Sequence, residues 1–582
     1  MERREIADVF ARMAVLLQLK GENNFKIRAF QNAARVLQGF SGSDEEFMAQ
    51  LNYGLLKGFG PQMTEHVLTL RKTGELPYFY ELQAEVPEGL LELLEIPGLG
   101  VQKVRQLYDA LGISTPSQLK RACKKNEVAA IRGFGEKTQA QLLQALELWQ
   151  SFQGQLRRGA AERLSADLLA FLLDSSPDSR LAVTGSVRRK CEIARNVNLL
   201  AATSEPAKIT QALAQYETVE KIAGCEATQC TVILQTGTVV ALQAVEENDW
   251  VAALHHHTGS REHLVQLAQF ATQQGRRLSE RGWLEPPPGQ FWEDEEQIYA
   301  DLGLVLVPPE LREGCGELEA AARLFQRGQG FTRLVTQADI KGILHAHSTY
   351  SDGVQSLEDL AGAVLAEGYQ YLGISDHSRS AAYAGGLSIE SVKRQQEEID
   401  RLNEKLAPFR IFKGIESEIM PDGSLDYTNS VMDSFDFVIV SVHSVLHMGR
   451  ERMTQRICRA LANPYTTILG HPSGRLLLRR NPYELDMEQV LNTAAEHGVA
   501  IEINANPSRL DLDWREHQRA KELGIPLAIC PDAHAAAELG YVRYGVDAAR
   551  KGRLEAADIL TCLSADELAW YFEQKRQQRQ QG

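Results

Sequence analysis

Nine side chains in the last third of the sequence have the types and spacing for metal chemistry: His345, His347, Asp352, His377, Glu416, His443, His471, Asp532 and His534. Imidazole nitrogen mixed with carboxylate oxygen suits zinc, manganese or iron, whereas magnesium and calcium favour all-oxygen sites. His345 and His347 stand two residues apart, so an extended strand turns both rings to one face, and Asp532 and His534 repeat the spacing. A lone histidine at a strand end is usually an ordinary core or surface residue. Six histidines and three carboxylates gathered at the ends of six strands are not explained that way. They are too many for one ion; two or three ions sharing Glu416 as a bridge would use them all.

The elements that must position these groups are visible as seven short apolar runs, each ending in a potential ligand or polar residue. They are DIKGILHAH (339–347), YLGISDH (371–377), IFKGIESE (411–418), FVIVSVH (437–443), TTILGH (466–471), VAIEINAN (499–506) and PLAICPDAH (526–534). Segments of helical period, such as SLEDLAGAVLAEG and MEQVLNTAAEHG, separate them. Strand alternating with helix means a parallel sheet, and seven repetitions suggest closure into a (β/α)7 barrel. Strand C-termini converge on one face of such a barrel, and here those termini carry the ligands.

The rest of the chain reads differently. With 582 residues, 44% hydrophobic and 24% charged, it is too long for one core. Residues 1–160 read as helix after helix, punctuated by LLKGFG (55–60), EIPGLG (95–100) and IRGFG (131–135). Each turn sets an apolar residue between two glycines before a helix, so the three look like one repeated device. Lys103, Arg105, Lys124, Lys125 and Lys137 lie nearby, either as solvated helix faces or as phosphate contacts. From 160 to 320 short strands mix with helices. The net charge of −15 excludes a chain basic throughout but not a local basic face. Eight cysteines scattered from Cys123 to Cys562, without CxxC spacing, are expected to be reduced and structural. The charged amino terminus and the lack of a long apolar run give an expectation of no membrane partner and of a cytoplasmic protein.

The glycine turns resemble the helix-hairpin-helix, in which Gly58, Gly60, Gly98, Gly100, Gly133 and Gly135 would let backbone N–H groups approach a DNA phosphate. The motifs H-A-H, S-D-G, S-D-H, the Glu of GIESE, S-V-H-S, G-H-P and D-A-H resemble the full ligand set of the PHP (polymerase and histidinol phosphatase) domain. From about residue 5 to 575 the chain resembles a bacterial family X DNA polymerase fused to a PHP domain. That resemblance implies a multidomain fold. A lyase-like helical domain with the first hairpin would span 1–80 and a fingers-like helix-hairpin-helix domain 81–152. An α+β nucleotidyltransferase-like palm (153–248), a thumb-like region (249–320), a linker (321–336) and a PHP phosphoesterase barrel (337–575) would follow. By analogy, His345, His347, Glu416 and Asp532 would hold one ion, Glu416, His443 and His471 a second, and Asp352, His377 and His534 a third. Manganese is favoured, with zinc or iron as alternatives. Glu416, His443, His471 and Asp532 would be the catalytic ligands of phosphoester hydrolysis. Arg475 would contact a phosphate oxygen or cap the following helix.

Two family sites look emptied. TGSVRR, with Gly185 and Ser186, resembles the palm motif, but the two acids expected after it are Asn196 and Asn198, and the third position is Ala241. Nucleotidyl transfer needs anionic oxygens to hold magnesium, and a carboxamide supplies oxygen without charge. The lyase lysine expected after the first hairpin is replaced by Gln62 and His66, with Lys72 beyond it. The expected function is therefore a metal-dependent 3′–5′ exonuclease or 3′-end phosphoesterase of DNA repair, of the base excision kind, in the bacterial cytoplasm or nucleoid. Single-stranded 3′ ends and gapped or nicked duplex would be its DNA partners. A gap-filling polymerase with a PHP exonuclease and a non-catalytic repair scaffold are the alternatives.

Overall fold

The computed structural model describes residues 1–40, 44–87, 89–279, 282–287, 291–331 and 333–581. They form two compact units, one of 1–152 with the short segments 353–360 and 534–536, the other of 153–352, 361–533 and 537–582.

The first unit is helical. Its opening helix, Arg3–Lys20, shows why: Ile6, Ala7, Phe10, Met13, Ala14 and Leu17 recur at three and four spacing and all are buried. The three glycine turns each lead into a helix: α1 (Pro61–Thr73), α2 (Val101–Leu111) and α3 (Glu136–Phe152). Gly58, Gly98 and Gly133 share one left-handed backbone state, with φ of 92°, 86° and 94°, which glycine adopts without steric cost. The apolar residue between each glycine pair, Phe59, Leu99 or Phe134, packs into the core of this unit.

The second unit starts with a five-stranded sheet: β1 (Arg180–Thr184), β2 (Asn196–Ala202), β3 (Val219–Cys225), β4 (Gln229–Leu234) and β5 (Val239–Val245) in the order β1-β2-β5-β4-β3. β2 and β5 are parallel and the other pairs antiparallel. Helices Arg158–Ser175 and Pro206–Ala214 cover one face through Leu168, Leu172, Ile209 and Leu213 against Val197, Leu199, Val232 and Val240. Helices Trp250–Thr258, Arg261–Gln273, Glu295–Ala300 and Glu317–Gln326 follow. The stretch 321–336, expected as a linker, is not free of the fold. The last of these helices runs into it, Leu334 and Val335 are buried, and the Val335 N–H donates to the Leu554 carbonyl at 3.0 Å; residue 332 lies outside the described residues.

The last part is the expected barrel. β6 (Gly342–Ile343), β7 (Tyr371–Ile374), β8 (Arg410–Glu418), β9 (Phe437–Ser441), β10 (Ile468–Leu469), β11 (Ala500–Asn504) and β12 (Leu527–Cys530) pair in sequence order, all parallel. β9 and β11 are buried over their whole length, as strands covered on both faces must be. The ring is nearly closed. First and last strands meet through a parallel bridge between Ala346 and Ala533, where the His347 N–H donates to the Ala533 carbonyl at 2.9 Å. Closure thus falls on the two motifs H-A-H and D-A-H. Helix α4 (Val542–Lys551) returns along β12.

Ion pairs tie sheet, helices and barrel into one unit. Asp547 of α4 takes both Arg158 and Lys190. Lys551 and Arg189 share Glu313, and Arg550 bonds Glu310 at 2.8 Å. Such partly buried pairs fix orientation more than they add stability.

Candidate metal centre

The nine candidate ligands stand at or beyond the C-terminal ends of six of the seven barrel strands, β11 carrying none of them. Three of them, His345 (φ 63°), His471 (φ 24°) and Asp532 (φ 52°), leave their strands in the left-handed region. A side-chain residue adopts that state at a cost of order 1–3 kcal/mol, tolerated where the surroundings over-determine it and often found at functional sites. Glu416, from β8, is the hub. One of its oxygens lies 3.0 Å from His471 Nε2, 3.2 Å from His443 Nε2 and 3.4 Å from His345 Nε2. The other lies 2.9 Å from His377 Nδ1 and 3.8 Å from His347 Nε2. Asp532 Oδ1 approaches His347 and His345 at 3.3 and 3.4 Å. Asp352 reaches His377 Nε2 at 3.6 Å and His347 Nδ1 at 3.8 Å.

These atoms form three groups compact enough to hold an ion: His345, His347 and Asp532; His377, Glu416 and His443; and His347, Asp352, His377 and His534. The grouping differs in detail from the one the family resemblance implies. His377 joins Glu416 and His443, and His347 is common to two groups, because both rings stand between Glu416 and Asp352. His471 stays on Glu416 alone.

The protonation of the centre follows from its charges. Burial by itself would raise the Glu416 carboxyl, but His443, His345 and His377 hold it well below the usual carboxylate range. Burial would lower His443, yet Glu416 and Glu418 raise it to about 9. His471 is pushed down to about 3 by burial and by the Arg509 guanidinium. A divalent cation fits here. His345 Nε2 is buried without a hydrogen-bond partner among the described residues, while the other nitrogen of His345 is anchored 2.5 Å from Glu502. One imidazole nitrogen aimed inward and the other held by a carboxylate is the usual state of a histidine ligand.

Several of these supporting groups were not among the residues singled out in the sequence. Glu502 on β11 bonds both His345 Nδ1 and the His471 N–H. Glu418, two residues after Glu416, accepts from His443 Nδ1 at 2.9 Å and from Ser444, and is backed by the fully buried Arg456. Asp376 accepts from Ser348, Ser351 and Gln395, which fixes the turn carrying Asp352. A charged residue inside an apolar strand run was the signal available for Glu502 and Glu418.

Arg475 does not face the cluster as a free cation and caps no helix. Its guanidinium is occupied by Asp513 and by the carbonyls of Arg509 and Leu510, so it shapes the following loop.

At the palm-like sheet, Asn198 pairs with Ala241 and Asn196 with Val239. Alternation turns both asparagines away from the face that buries Val197 and Leu199. No carboxylate stands at Asn196, Asn198 or Ala241. The turn before β2 is equally closed: Gly185 has φ 60° with the Asn198 amide against it, and Ser186 Oγ is buried. The three consecutive cations after it have carboxylate partners, Arg188 with Glu295, Arg189 with Glu313 and Lys190 with Asp547.

In the helical unit, a Cβ added at any of the six hairpin glycines would meet nothing within 4 Å, so each turn is open to a ligand. Lys124, Lys125 and Lys137 are exposed. Lys103 bonds the Gly98 carbonyl at 3.0 Å and Arg105 bonds Asp109 and the Leu19 carbonyl, so these two hold the fold instead. His66 stacks between Phe30 and Tyr78. Lys72 lines a cavity of about 570 Å³ with Phe59, Thr64 and Glu65.

Comparison with known proteins agrees with this anatomy. Helix-hairpin-helix domain families match residues 1–76 and 90–147, the DNA polymerase beta thumb matches 253–313, and the PHP domain matches 344–506. The chain is 36% identical over 569 residues to the "DNA polymerase/3'-5' exonuclease PolX" of Bacillus subtilis (strain 168), covering 97% of this chain and 98% of that one. The chain belongs to the PolX family. Its barrel also has relatives of its own. A probable phosphatase of Thermoanaerobacter sp. (strain X514) is 30% identical over 212 residues, 34% of this chain and 76% of that protein. Another, of Caldanaerobacter subterraneus, is 26% identical over 249 residues, 40% of this chain and 91% of that one. Among the described residues of this PolX chain, no helix is long and apolar enough to cross a membrane.

Proposed function

We propose that this PolX chain is a metal-dependent 3′–5′ exodeoxyribonuclease of DNA repair whose working centre is the barrel. The observation that carries the reading is the Glu416 carboxylate ringed by five imidazoles, with Asp532 and Asp352 beside it. Two or three divalent ions, manganese before zinc or iron for this donor set, would supply Lewis acidity: neutralisation of phosphate charge and a lowered pKa of water. The residues that would hold them are the nine ligands. Glu416 stays ionised at the middle of the imidazoles and would be the carboxylate the ions share, Glu502 and Glu418 keep the His345 and His443 rings aimed inward, and the mostly buried walls limit competing hydration.

The front of the chain is proposed to hold DNA without acting on it. The open hairpin turns suit sequence-independent phosphate contact, and single-stranded 3′ ends and gapped or nicked duplex are the proposed ligands. Loss of polymerisation is supported by the carboxylate-free positions Asn196, Asn198 and Ala241 and by the paired cations of the neighbouring turn. Loss of lyase chemistry rests on Gln62 and His66, which offer no primary amine. A terminal-phosphate hydrolase is a second reading, favoured by the probable phosphatases that resemble the barrel.

Digestion of end-labelled single-stranded and gapped DNA with manganese, by the native chain and by His345→Ala, tests the site. The native chain is expected to release mononucleotides and the variant to lose at least about 100-fold in rate. Equal cleavage by both would reject the assignment, and release of terminal phosphate alone would select the second reading.

A further inference from the structure

Two side chains at the mouth of the barrel have no part in the ligand set, yet both border it. Tyr383 is 72% exposed, and its ring centre lies 6.1 Å from that of His377 and 6.4 Å from that of His443. It is carried on a short turn, Ala382–Ala384, whose neighbours are fixed: Ala381 and Ala384 are buried, and the Gly386 N–H donates to the Ala381 carbonyl at 3.1 Å. Gly386 itself leaves no room for a side chain, since a Cβ there would sit 2.0 Å from the Ser378 carbonyl oxygen. Rigid backbone thus presents an aromatic face to solvent beside the ligands.

Arg509 stands on the other border. Its Nε lies 3.4 Å from Asp532 Oδ2, and its charge reaches the Tyr383 hydroxyl and the His471 ring. Its guanidinium makes no hydrogen bond with any described residue, and Asp532 is its one ion-pair partner among them. The loop under it is also preset: Arg475 takes the Arg509 carbonyl at 2.9 Å, and the Arg509 N–H donates to the Asn506 carbonyl at 2.8 Å. Arg475, expected to meet phosphate, therefore positions the arginine that can. In a mouth otherwise lined by Glu416, Asp532 and Asp352, a guanidinium with open donors is suited to an incoming phosphodiester oxygen.

We propose that this mouth is a subsite for the terminal nucleotide of a DNA strand, with the Tyr383 ring as the surface on which its base stacks and Arg509 as the donor to its phosphodiester. The proposal rests on the nuclease reading and deepens it, because a phosphate alone would have no use for an exposed aromatic face. Base–aromatic stacking tolerates any base, as an exonuclease requires.

The test uses the full manganese-loaded chain, with Tyr383→Ala, Tyr383→Trp and Arg509→Ala, on two single strands that differ only in whether the 3′-terminal nucleotide carries a base or is abasic. Tyr383→Ala is expected to lower kcat/KM by roughly 10-fold or more on the base-bearing strand, with little change on the abasic one, and Tyr383→Trp to retain activity. Arg509→Ala is expected to raise KM for both strands while manganese content, measured on the same samples, stays at the native level. Equal loss on both strands in Tyr383→Ala, or no loss on either, overturns the stacking role. Loss of manganese in step with activity in Arg509→Ala means that the arginine merely orients Asp532 and overturns its phosphate role. A native chain that cleaves neither strand brings down the nuclease reading and this proposal together.

Discussion

At the residue scale, the centre depends on buried acids outside the nine candidate ligands. Glu502 holds the Nδ1 of His345 and the N–H of His471, so two ligands take their orientation from one carboxylate. Replacing Glu502 by Gln is predicted to weaken manganese binding by about 10- to 100-fold, the usual consequence of losing a ligand's outer partner. Competition against a chelator measures this, and an unchanged affinity would show that His345 is oriented by packing alone. The nine candidate ligands were legible in the sequence because eight of them lie at or near the ends of apolar runs and several, Asp352 included, fall in short motifs. Their neighbours were less so. Glu502 and Glu418 looked like strand residues, and only the ring-to-carboxylate distances reveal their partners. Arg509 and Tyr383 lie in loops, where periodicity carries no information. Arg475 was misread for the same reason, since its partners Asp513 and Leu510 are distant in sequence and close only through the loop.

At the element scale, alternation of strand and helix gave the barrel, and the seven apolar runs each became a strand. Local pattern could not reveal that closure occurs through Ala346 and Ala533, which places the two paired-ligand motifs side by side. The three glycine turns were legible because glycine is the residue that takes a φ near 90° at no cost. The stretch 321–336 was not, because its burial depends on Leu554 far along the chain. Packing of short elements also sets a pH limit. His517, which opens helix His517–Glu522, is fully buried against Gly552, and burial lowers its imidazole to about 4 from an ordinary 6.5. The unfolded chain therefore binds more protons than the folded one between those values. The stability this neutral histidine brings is complete above pH 6.5 and is lost as pH falls toward 4, by roughly 3 kcal/mol. Melting curves over that range are expected to show a falling midpoint that His517→Gln flattens; parallel curves for both proteins would remove His517 as the cause.

At the scale of the whole molecule, the proposed function separates holding from cutting. Open glycine turns lie in the helical unit, whereas the ligand-rich centre belongs to the barrel and the palm-like sheet offers no carboxylate at Asn196, Asn198 or Ala241. The cations that follow Gly185 and Ser186 are turned to internal use: Lys190 meets Asp547 on α4, and Arg189 shares Glu313 with Lys551. On the proposed reading, cations neutralised by the fold around them leave this turn with little to attract a triphosphate. The asparagines and the alanine at these positions were plain in the sequence; the pairing of the cations required the fold, because their partners lie over a hundred residues away. On the proposed reading, chemistry on DNA has moved from the palm to the barrel. That reading is tested most directly by one reaction: a primer with a recessed 3′ end on its template, all four deoxynucleoside triphosphates, and manganese, with the native chain and with Glu416→Gln. The native chain is expected to shorten the primer, Glu416→Gln to leave it at its original length, and neither to extend it. Lengthening of the primer by either protein would contradict that reading.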